Sequence, residues 1–507
     1  MISSTKKKDV IILKELLSLR EHPFDKKQVE LISKAYYFSK KAHTGQKRIS
    51  GGDYFCHSVA TAATLVKMGL GSLTTSAALL HDVPEDTKYT VEDIEKGFGI
   101  DVAFIVKGVT KLSKVKLREN AEDYYLENLR KMFLAMAADI RVVLVKIADR
   151  LHNMETLDSL PPEKQIRIAK ETKEIFVPIA NRLGLGEIRG RLEDLTFKHL
   201  DRENYDKIVK LEAEAYSRRK KYVERAIKEL KKELKKNGIK VVDIHGRAKH
   251  HYSLYCKLQQ YDMDINKIYD LVAIRIIVLT VADCYEALGI VHNKFRPLIG
   301  RIKDYNSLPK PNGYKSIHTT VFGPEGKILE VQIRTQRMHD EAEFGIAAHW
   351  IYSEKRGWKD FILNRKNNLP QNLDKEIEWV KQLRAWHQET GGKSDEFWAS
   401  LKIDFFKDQI FAFTPRGDVI ELPENATPVD FAYQIHSEIG DKLASAKVNE
   451  KMVSLDYNIK NGDLVDIQTS KNKKIPNRDW LKFVKTAYAR SRIRSALKKS
   501  GIELADS

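Results

Sequence analysis

The chain has 507 residues, 42% of them apolar, and a formal net charge of +18. This length predicts two to four domains, and the apolar content excludes wholesale disorder. No apolar run approaches the roughly 18 residues of a membrane span, and three scattered cysteines argue against a disulfide framework and fit a reducing cytoplasm. The charge favours polyanionic partners such as nucleic acid or nucleotides, although the densest basic run, 218–238, could be the solvated face of a helix.

The pattern of apolar and polar residues differs between successive segments of the chain. Residues 1–200 carry apolar residues at three- and four-residue steps, which predicts a domain built almost entirely of helices. Between 201 and 355, β-branched runs such as "LVAIRIIVLT" and "ILEVQIRT" alternate with helical stretches, which predicts a mixed α/β domain. A polar linker at 356–404 precedes strands around one helix at 405–472, a pattern typical of a small β-grasp module with a turn at Asn461-Gly462. A basic helical segment follows at 473–507.

A set of histidines and carboxylates in the helical region predicts a metal centre. Its members are His57, His81, Asp82 and Asp149. Nitrogen and oxygen donors on several helices can converge on one divalent transition ion in the core of a bundle. Such an ion lowers the pKa of a bound water and polarises a phosphoryl oxygen, which suits phosphoester hydrolysis. Glu85 and Asp86, in the same "HDVPEDT" stretch, would orient the water or shuttle protons. The alternative is that these groups are helix caps and hydrogen-bonded core histidines.

The mixed region contains the parts of a nucleotide site but no P-loop and no glycine-rich dinucleotide motif. Two basic clusters, "GRAKHHYSLYCKL" and "RIKDYNSLPKPNGYKSIHTT", combine Arg and Lys with Tyr and His, which suits a triphosphate and a stacked purine. Asp270 and Glu330 lie on apolar strands, where a carboxylate is costly unless it holds Mg²⁺ or acts as a base. These residues predict a Mg²⁺-dependent nucleotide enzyme, and the alternative is a solvated face or a nucleic-acid patch.

Together these motifs resemble the long RelA/SpoT homologue family, the bifunctional (p)ppGpp synthetase/hydrolases of the bacterial stringent response, from about residue 26 to 490. "RIKDYNSLPKPNGYKSIHTT" and "EVQIRTQRMHDEAEFGIAAHW" are the most specific stretches. The resemblance implies an all-α HD-type hydrolase domain, a mixed α/β nucleotidyltransferase-like synthetase domain and a β-grasp TGS domain. The basic "RIKD" at 301–304 and the complete HD set imply a bifunctional member rather than a synthesis-only one.

The resemblance also implies roles for individual residues. In the hydrolase, Mn²⁺ would be held by His57, His81, Asp82 and Asp149, with Glu85 and Asp86 serving the attacking water and Arg48 and Asn153 contacting the nucleotide. In the synthetase, Asp270 would bind Mg²⁺, Glu330 would activate the 3′-hydroxyl of GDP or GTP, and Tyr314 would stack on guanine. The further predicted nucleotide ligands are Arg247, Lys249, Ser253, Lys257, Lys303, Lys310, Asn312 and His318. Pro84 and Ile49 stand where the family usually has an aliphatic residue and a lysine.

The expected function is transfer of pyrophosphate from ATP to GDP or GTP, and hydrolysis of the resulting (p)ppGpp, in the cytoplasm and without a membrane partner. His436 in the TGS-like region matches a histidine that meets the 3′ end of uncharged tRNA, which implies tRNA and the ribosome as partners; a structural surface histidine is the alternative. Two rival functions are a hydrolase that has lost synthesis, and a tRNA- or ribosome-binding regulator whose catalytic sites are vestigial.

Overall fold

The computed structural model describes residues 13–20, 22–113, 131–132, 135, 138–265, 268, 271–307, 309–310, 313–348, 409–470 and 475–500. The chain divides into two compact units, Met1–Arg384 and Ala385–Ser507. The division falls within the predicted linker at 356–404, whose residues lie outside the described part of the chain. Among the described residues, no helix combines the length and the apolar character needed to cross a membrane.

The first part of unit one is helical, as the sequence predicts. Its helices are α1 Leu13–Ser18, α2 Lys26–Ala42, α3 Phe55–Lys67, α4 Ser72–Leu80, α5 Val83–Asp86, α6 Val91–Phe98, α7 Ile100–Ser113, α8 Ile140–Glu155, α9 Pro162–Glu171, α10 Val177–Arg182 and α11 Gly186–Leu200. Capping boxes at Asp25 and Thr90 satisfy the first amides of α2 and α6. Helices α3 and α4 pack against each other and against α8, and α8 is buried along most of its length. Side chains from these three helices can therefore meet in the core.

A five-stranded sheet forms the second part of unit one, after the long helix α12, Arg202–Lys236. Its strands are β1 Val241–Ala248, β2 Val272–Val278, β3 Lys303–Asp304, β4 Ile317–Phe322 and β5 Ile328–Thr335, and its helices are α13 His251–Gln259, α14 Val281–Lys294 and α15 Gln336–Phe344. The strand order is β1-β2-β5-β4-β3; β2 and β5 are parallel and the other pairs antiparallel. Apolar residues of β2 and β5 join a core with α12, α13 and α14, which leaves polar residues on the opposite face.

Helix α11 joins the helical part to the sheet part by direct contacts. Asp194 on α11 accepts a hydrogen bond from the Tyr252 amide, and its other oxygen lies 2.9 Å from Nδ1 of His250. Gly190 lies one turn earlier, where a Cβ atom would be 2.3 Å from the His250 ring. A side chain at position 190 would displace this ring, so glycine allows α11 and the residue before α13 to approach closely.

Unit two has the strand and helix order of a β-grasp module. Its elements are β6 Gln409–Phe413, β7 Val419–Pro423, α16 Pro428–Ile435, α17 Ser437–Asp441, β8 Leu443–Val448, β9 Lys451–Val453, β10 Val465–Thr469 and α18 Ala487–Lys499. β6 and β7 form a hairpin, and a second sheet has the order β10-β8-β9. The turn predicted at Asn461-Gly462 is present, and Gly462 has a φ of 93°. Trp480 packs with α16 and α18, so the basic C-terminal helix shares a core with the module.

Candidate active sites

Three helices bring the four proposed metal ligands of the helical domain together. His57 lies on α3, His81 follows the last turn of α4, and Asp149 lies on α8. His57 Nε2 is 3.1 Å from Asp149 Oδ1 and 3.4 Å from Asp82 Oδ2. His81 Nε2 is 3.1 Å from Asp82 Oδ1 and 4.0 Å from Asp149 Oδ1. The two imidazoles and Asp149 are buried.

Hydrogen bonds behind the two histidines fix which ring nitrogens face this cluster. His81 Nδ1 lies 2.7 Å from the Ala78 carbonyl oxygen, which can only accept, so Nδ1 carries the proton and Nε2 presents a lone pair. His57 Nδ1 lies 2.7 Å from His152 Nδ1. Arg48 Nη1 lies 3.1 Å from the same His152 nitrogen. A guanidinium can only donate, so His152 Nδ1 accepts and His57 donates to it. His57 therefore also directs the lone pair of Nε2 into the cluster.

This arrangement fits a divalent cation. Two imidazole lone pairs and two carboxylates face one another, and the buried Nε2 of His81 has no hydrogen-bond donor within the described residues. Electron-rich atoms at these distances repel unless a proton or a cation lies between them. One oxygen or nitrogen from each of His57, His81 and Asp149 lies within 4.8 Å of the others. Mixed imidazole and carboxylate ligands favour a first-row transition ion.

Neighbouring side chains stabilise the negative charge of Asp149. Lys146 Nζ lies 2.7 Å from Asp149 Oδ2, and the Asn153 amide donates to Oδ1 at 2.6 Å. Burial alone would raise the pKa of Asp149, but its neighbours, Lys146 foremost, lower that pKa well below its usual value. Asp149 is therefore ionised and would need no deprotonation before binding a metal.

The two acidic residues proposed to handle water lie at the edge of the cluster. Glu85 and Asp86 are exposed on α5. The Tyr54 hydroxyl, which the sequence did not single out, lies 2.7 Å from Asp86 and 3.1 Å from Asp82, and so connects this edge to the proposed metal ligands. Burial, then Asp82 and Asp86, raise the pKa of Tyr54, which keeps its proton. Pro84 lies in the first turn of α5, where a helix does not use the backbone N–H that proline lacks.

The two proposed nucleotide contacts of the hydrolase are bonded to each other. Arg48 Nη2 donates to Asn153 Oδ1 at 2.6 Å, and Asn153 in turn donates to Asp149. Arg48 lies in a loop closed by pairing of Lys47 with Asp53, and the neighbouring Ile49 is exposed. The structure thus connects a partly buried guanidinium, through Asn153, to Asp149 of the proposed metal cluster.

In the mixed domain, Glu330 lies on the polar face of the sheet, on β5. His318 Nδ1 and Gln332 Nε2 each lie 3.0 Å from Glu330 Oε1. His318 Nε2 lies 2.8 Å from the Tyr314 hydroxyl. An ionised carboxylate can only accept, so His318 carries its proton on Nδ1 and donates it to Glu330, and its Nε2 accepts from the Tyr314 hydroxyl. Two donors therefore orient the Glu330 carboxylate. The ring of Tyr314, which is proposed to stack on guanine, is connected to this carboxylate through His318.

Cations and aromatic rings surround this carboxylate. Lys310 Nζ lies 4.8 Å from the Tyr305 ring centre and 5.2 Å from that of Tyr314. Burial, then Lys303 and Arg189, lower the pKa of Lys310. Lys303 on β3 pairs with His318 on β4, which puts both on the same face of the sheet as Glu330. Several positive charges thus converge beside Glu330, as a polyphosphate site requires.

The remaining proposed ligands fall into two groups. Arg247 lies on β1 opposite Ala273, and Lys249 directly follows that strand. Ser253 and Lys257 lie four residues apart on α13. Asp270 and Asn312 lie outside the described residues, so their proposed roles stay predictions.

Three ionised residues of this face were missed by the sequence analysis. Glu343 on α15 accepts hydrogen bonds from Arg275 on β2 and from Arg334 on β5, at 2.9 and 2.8 Å. Burial would raise the pKa of Glu343, but the two arginines lower it to about 2. The only sequence signal was the specific stretch "EVQIRTQRMHDEAEFGIAAHW", which contains Arg334 and Glu343.

Comparison with known proteins matches three family models in order along the chain. They are an HD domain at residues 35–186, a region found in RelA / SpoT proteins at 246–357, and a TGS domain at 410–469. The chain belongs to the RelA/SpoT family. The predicted fold class, an all-α HD domain, a mixed α/β synthetase-type domain and a small β-grasp TGS domain, is confirmed.

Curated RelA/SpoT relatives match nearly the whole chain. A probable guanosine-3′,5′-bis(diphosphate) 3′-pyrophosphohydrolase of Synechocystis sp. is 46% identical over 470 residues, 93% of this chain and 60% of that protein. A GTP pyrophosphokinase of Myxococcus xanthus is 44% identical over 488 residues, with 94% and 63% covered. The bifunctional (p)ppGpp synthase/hydrolase RelA of Mycobacterium tuberculosis is 42% identical over 487 residues, with 95% and 64% covered. The chain thus spans less than two thirds of the length of these relatives.

In the TGS domain of this RelA/SpoT protein, His436 is exposed and precedes α17. Its Nδ1 accepts a hydrogen bond of 3.3 Å from the Glu438 amide, which caps that helix. This capping contact is a sufficient structural reason for a histidine at this position. Contact of the exposed His436 with tRNA stays a prediction.

Proposed function

We propose that this protein is a bifunctional enzyme of (p)ppGpp metabolism. In this proposal it transfers pyrophosphate from ATP to the 3′-hydroxyl of GDP or GTP, and it hydrolyses the product to GDP or GTP and pyrophosphate. The observation that supports it most is the presence of two chemically different sites in one compact unit. One is the converging cluster around His57 and Asp149, and the other is the oriented carboxylate Glu330 among cations and aromatic rings.

In the hydrolase, His57, His81, Asp82 and Asp149 would hold Mn²⁺. When bound, the ion lowers the pKa of a water and polarises the scissile phosphoryl oxygen. Arg48 and Asn153 bind and orient the nucleotide. Asp86, bonded to Tyr54, accepts the proton of the attacking water at its carboxylate, with Glu85 beside it.

In the synthetase, Tyr314 stacks on the guanine of the acceptor nucleotide, and Glu330 accepts the proton of its 3′-hydroxyl. The bonds from His318 and Gln332 keep the carboxylate oriented for that transfer. Lys303 and Lys310 neutralise phosphate charge. We propose Mg²⁺ as the ion of this site, with Asp270 as its ligand.

The named relatives support both activities, since pyrophosphohydrolase, pyrophosphokinase and bifunctional names all occur among them. We propose that the protein works in the cytoplasm, where its nucleotide substrates are. We also propose uncharged tRNA and the ribosome as partners of the TGS domain.

Two incubations of the purified protein test the proposal. ATP with GDP and Mg²⁺ should yield AMP and ppGpp, and ppGpp with Mn²⁺ should yield GDP and pyrophosphate. Asp82→Ala should abolish the second reaction only, and Glu330→Gln the first only, because the two sites share no residue. Hydrolysis alone would support the rival hydrolase, and neither product would support a regulator with vestigial sites. Hydrolysis retained by Asp82→Ala would overturn the metal assignment.

A further inference from the structure

The proposed water-handling carboxylate of the hydrolase, Asp86, lies on a short and exposed element. Helix α5 has a single turn, Val83–Asp86, and Asp86 itself is exposed. The backbone bonds of this turn are local: the Asp86 amide donates to the Asp82 carbonyl at 2.9 Å, and the Thr87 amide to the Val83 carbonyl at 3.1 Å. One helical turn is marginal by itself, so contacts from another part of the chain are needed to hold this carboxylate in one position.

The loop between α2 and α3, residues 43–54, supplies two such contacts. The Tyr54 hydroxyl lies 2.7 Å from Asp86 Oδ2, and Gln46 Nε2 donates to the Asp86 backbone carbonyl at 2.6 Å. One contact holds the side chain, and the other holds the backbone of the same residue. The two loop residues are also bonded to each other, because the Tyr54 amide donates to the Gln46 carbonyl at 3.0 Å. Asp86 is therefore held at two points by one loop.

His43, directly after α2, contacts both of these loop residues. It is 3% exposed, and its ring stacks on the Tyr54 ring with the centres 5.0 Å apart and an interplanar angle of 23°. His43 Nδ1 lies 2.7 Å from Gln46 Oε1. Since Gln46 uses its amide nitrogen for the Asp86 carbonyl, its oxygen accepts, and His43 Nδ1 carries the proton and donates it. His43, Gln46 and Tyr54 thus form one stacked and hydrogen-bonded group.

The Tyr54 hydroxyl has one proton and two carboxylates within reach. It lies 2.7 Å from Asp86 and 3.1 Å from Asp82, which is a proposed metal ligand. A carboxylate whose charge is offset by a bound cation is a weaker hydrogen-bond acceptor than a free one. Metal binding by Asp82 would therefore leave the hydroxyl to Asp86, which already has the shorter contact.

We propose that Tyr54 is a positioning residue for hydrolysis, whose hydroxyl orients the Asp86 carboxylate toward the attacking water. Gln46 holds the backbone of Asp86, and His43 keeps Gln46 in place. The inference rests on the proposed hydrolase function. A general base is effective only within hydrogen-bond reach of the proton that it accepts, so the position of Asp86 matters as much as its presence. Tyr54 therefore affects the chemical step, and neither metal binding nor binding of ppGpp.

Tyr54→Phe tests the proposal, because it removes only the hydroxyl. It keeps the ring that stacks on His43 and whose centre lies 5.9 Å from Arg48 Cζ. We expect kcat for ppGpp hydrolysis at saturating Mn²⁺ to fall about ten- to hundredfold. The KM for ppGpp, and the dissociation constant of Mn²⁺ measured by calorimetry, should stay within about threefold of wild type. Tyr89→Phe is the matched control, since Tyr89 follows α5 closely and its ring packs on Phe38. It should change none of the three constants.

A double-variant experiment separates a role through Asp86 from a role through the metal. In an Asp86→Asn background, Tyr54→Phe should cause no further loss of the residual kcat. Additive losses would overturn the proposal. A Mn²⁺ affinity that falls together with kcat would also overturn it, because the hydroxyl would then act through Asp82. An unchanged kcat in folded Tyr54→Phe would overturn it as well.

Hydrogen exchange tests the positioning independently of turnover. The amides of residues 85–87 donate to carbonyls of residues 82 and 83. Their exchange in the intact protein should be faster in Tyr54→Phe than in wild type, and faster in Gln46→Met, which loses the backbone contact. Wild-type exchange in either folded variant would count against the proposal. A wild-type protein that hydrolyses no ppGpp refutes the hydrolase function, and exchange of this segment then still decides whether Tyr54 and Gln46 hold Asp86.

Discussion

Replacing Asp149 by asparagine tests the metal centre most directly. The carboxylate has partners on both oxygens, with Lys146 Nζ at 2.7 Å, Asn153 Nδ2 at 2.6 Å and His57 Nε2 at 3.1 Å. Asparagine has the same shape but no charge. We expect Asp149→Asn to weaken Mn²⁺ binding strongly, to lose ppGpp hydrolysis and to retain synthesis, because Glu330 and its partners lie in the other domain.

The size of the loss follows from the charge removed. A unit negative charge about 4 Å from a unit positive charge contributes about 4 kcal/mol at an effective dielectric constant of 20. The loss for a divalent ion is at least as large, which corresponds to Mn²⁺ binding weakened by about a thousandfold or more. The two imidazoles and Asp82 remain, so a weak site with these donors should persist.

Titration calorimetry with Mn²⁺ measures this directly, independently of turnover. Asp158→Asn is the control, because Asp158 is a carboxylate of the same domain that pairs with Lys198 at 2.5 Å and is mostly exposed. Its variant should bind Mn²⁺ like the wild type. If folded Asp149→Asn bound Mn²⁺ within about tenfold of the wild-type affinity, Asp149 would not be a ligand.

Three further predictions concern other parts of the chain. Tyr314→Ala should weaken GDP binding by about 1–3 kcal/mol through lost stacking, with the KM for ATP unchanged; equal GDP affinity would contradict the stacking role. Burial, then Lys303, lower the pKa of Lys310, so Lys310 loses its charge at a lower pH than an exposed lysine. GDP affinity should therefore fall as pH rises through that lowered pKa, whereas Lys310→Arg should hold its affinity over the same range; a titration series shows whether the two profiles differ. Asp430 is buried and accepts hydrogen bonds from the amides of Thr427 and Thr486. Asp430→Asn should lower the stability of the TGS unit by about 3 kcal/mol in calorimetric unfolding, and an unchanged transition would show that these bonds contribute little.

The kinds of element and the chemistry of the main ligands could be predicted from sequence. Helical periodicity up to residue 200 and β-branched runs beyond 240 are local properties of the chain, and they identified the domain types. His81 and Asp82 could be proposed as ligands because imidazole and carboxylate in adjacent positions are rarely placed in a core without a partner. Pro84 departs from the usual family sequence, and its effect depends on its exact position in α5. The sequence predicts where a helix begins only to within one or two residues.

Only the tertiary structure determined which side chains meet. The role of His152 could not be predicted because its partner His57 is 95 residues away, and the bond between them decides which nitrogen of His57 faces the proposed metal site. Glu343 appeared in a specific motif but without a role, since Arg275 lies on another strand, 68 residues earlier. The periodicity of a segment is set by its own backbone, whereas these contacts depend on how helices and strands pack.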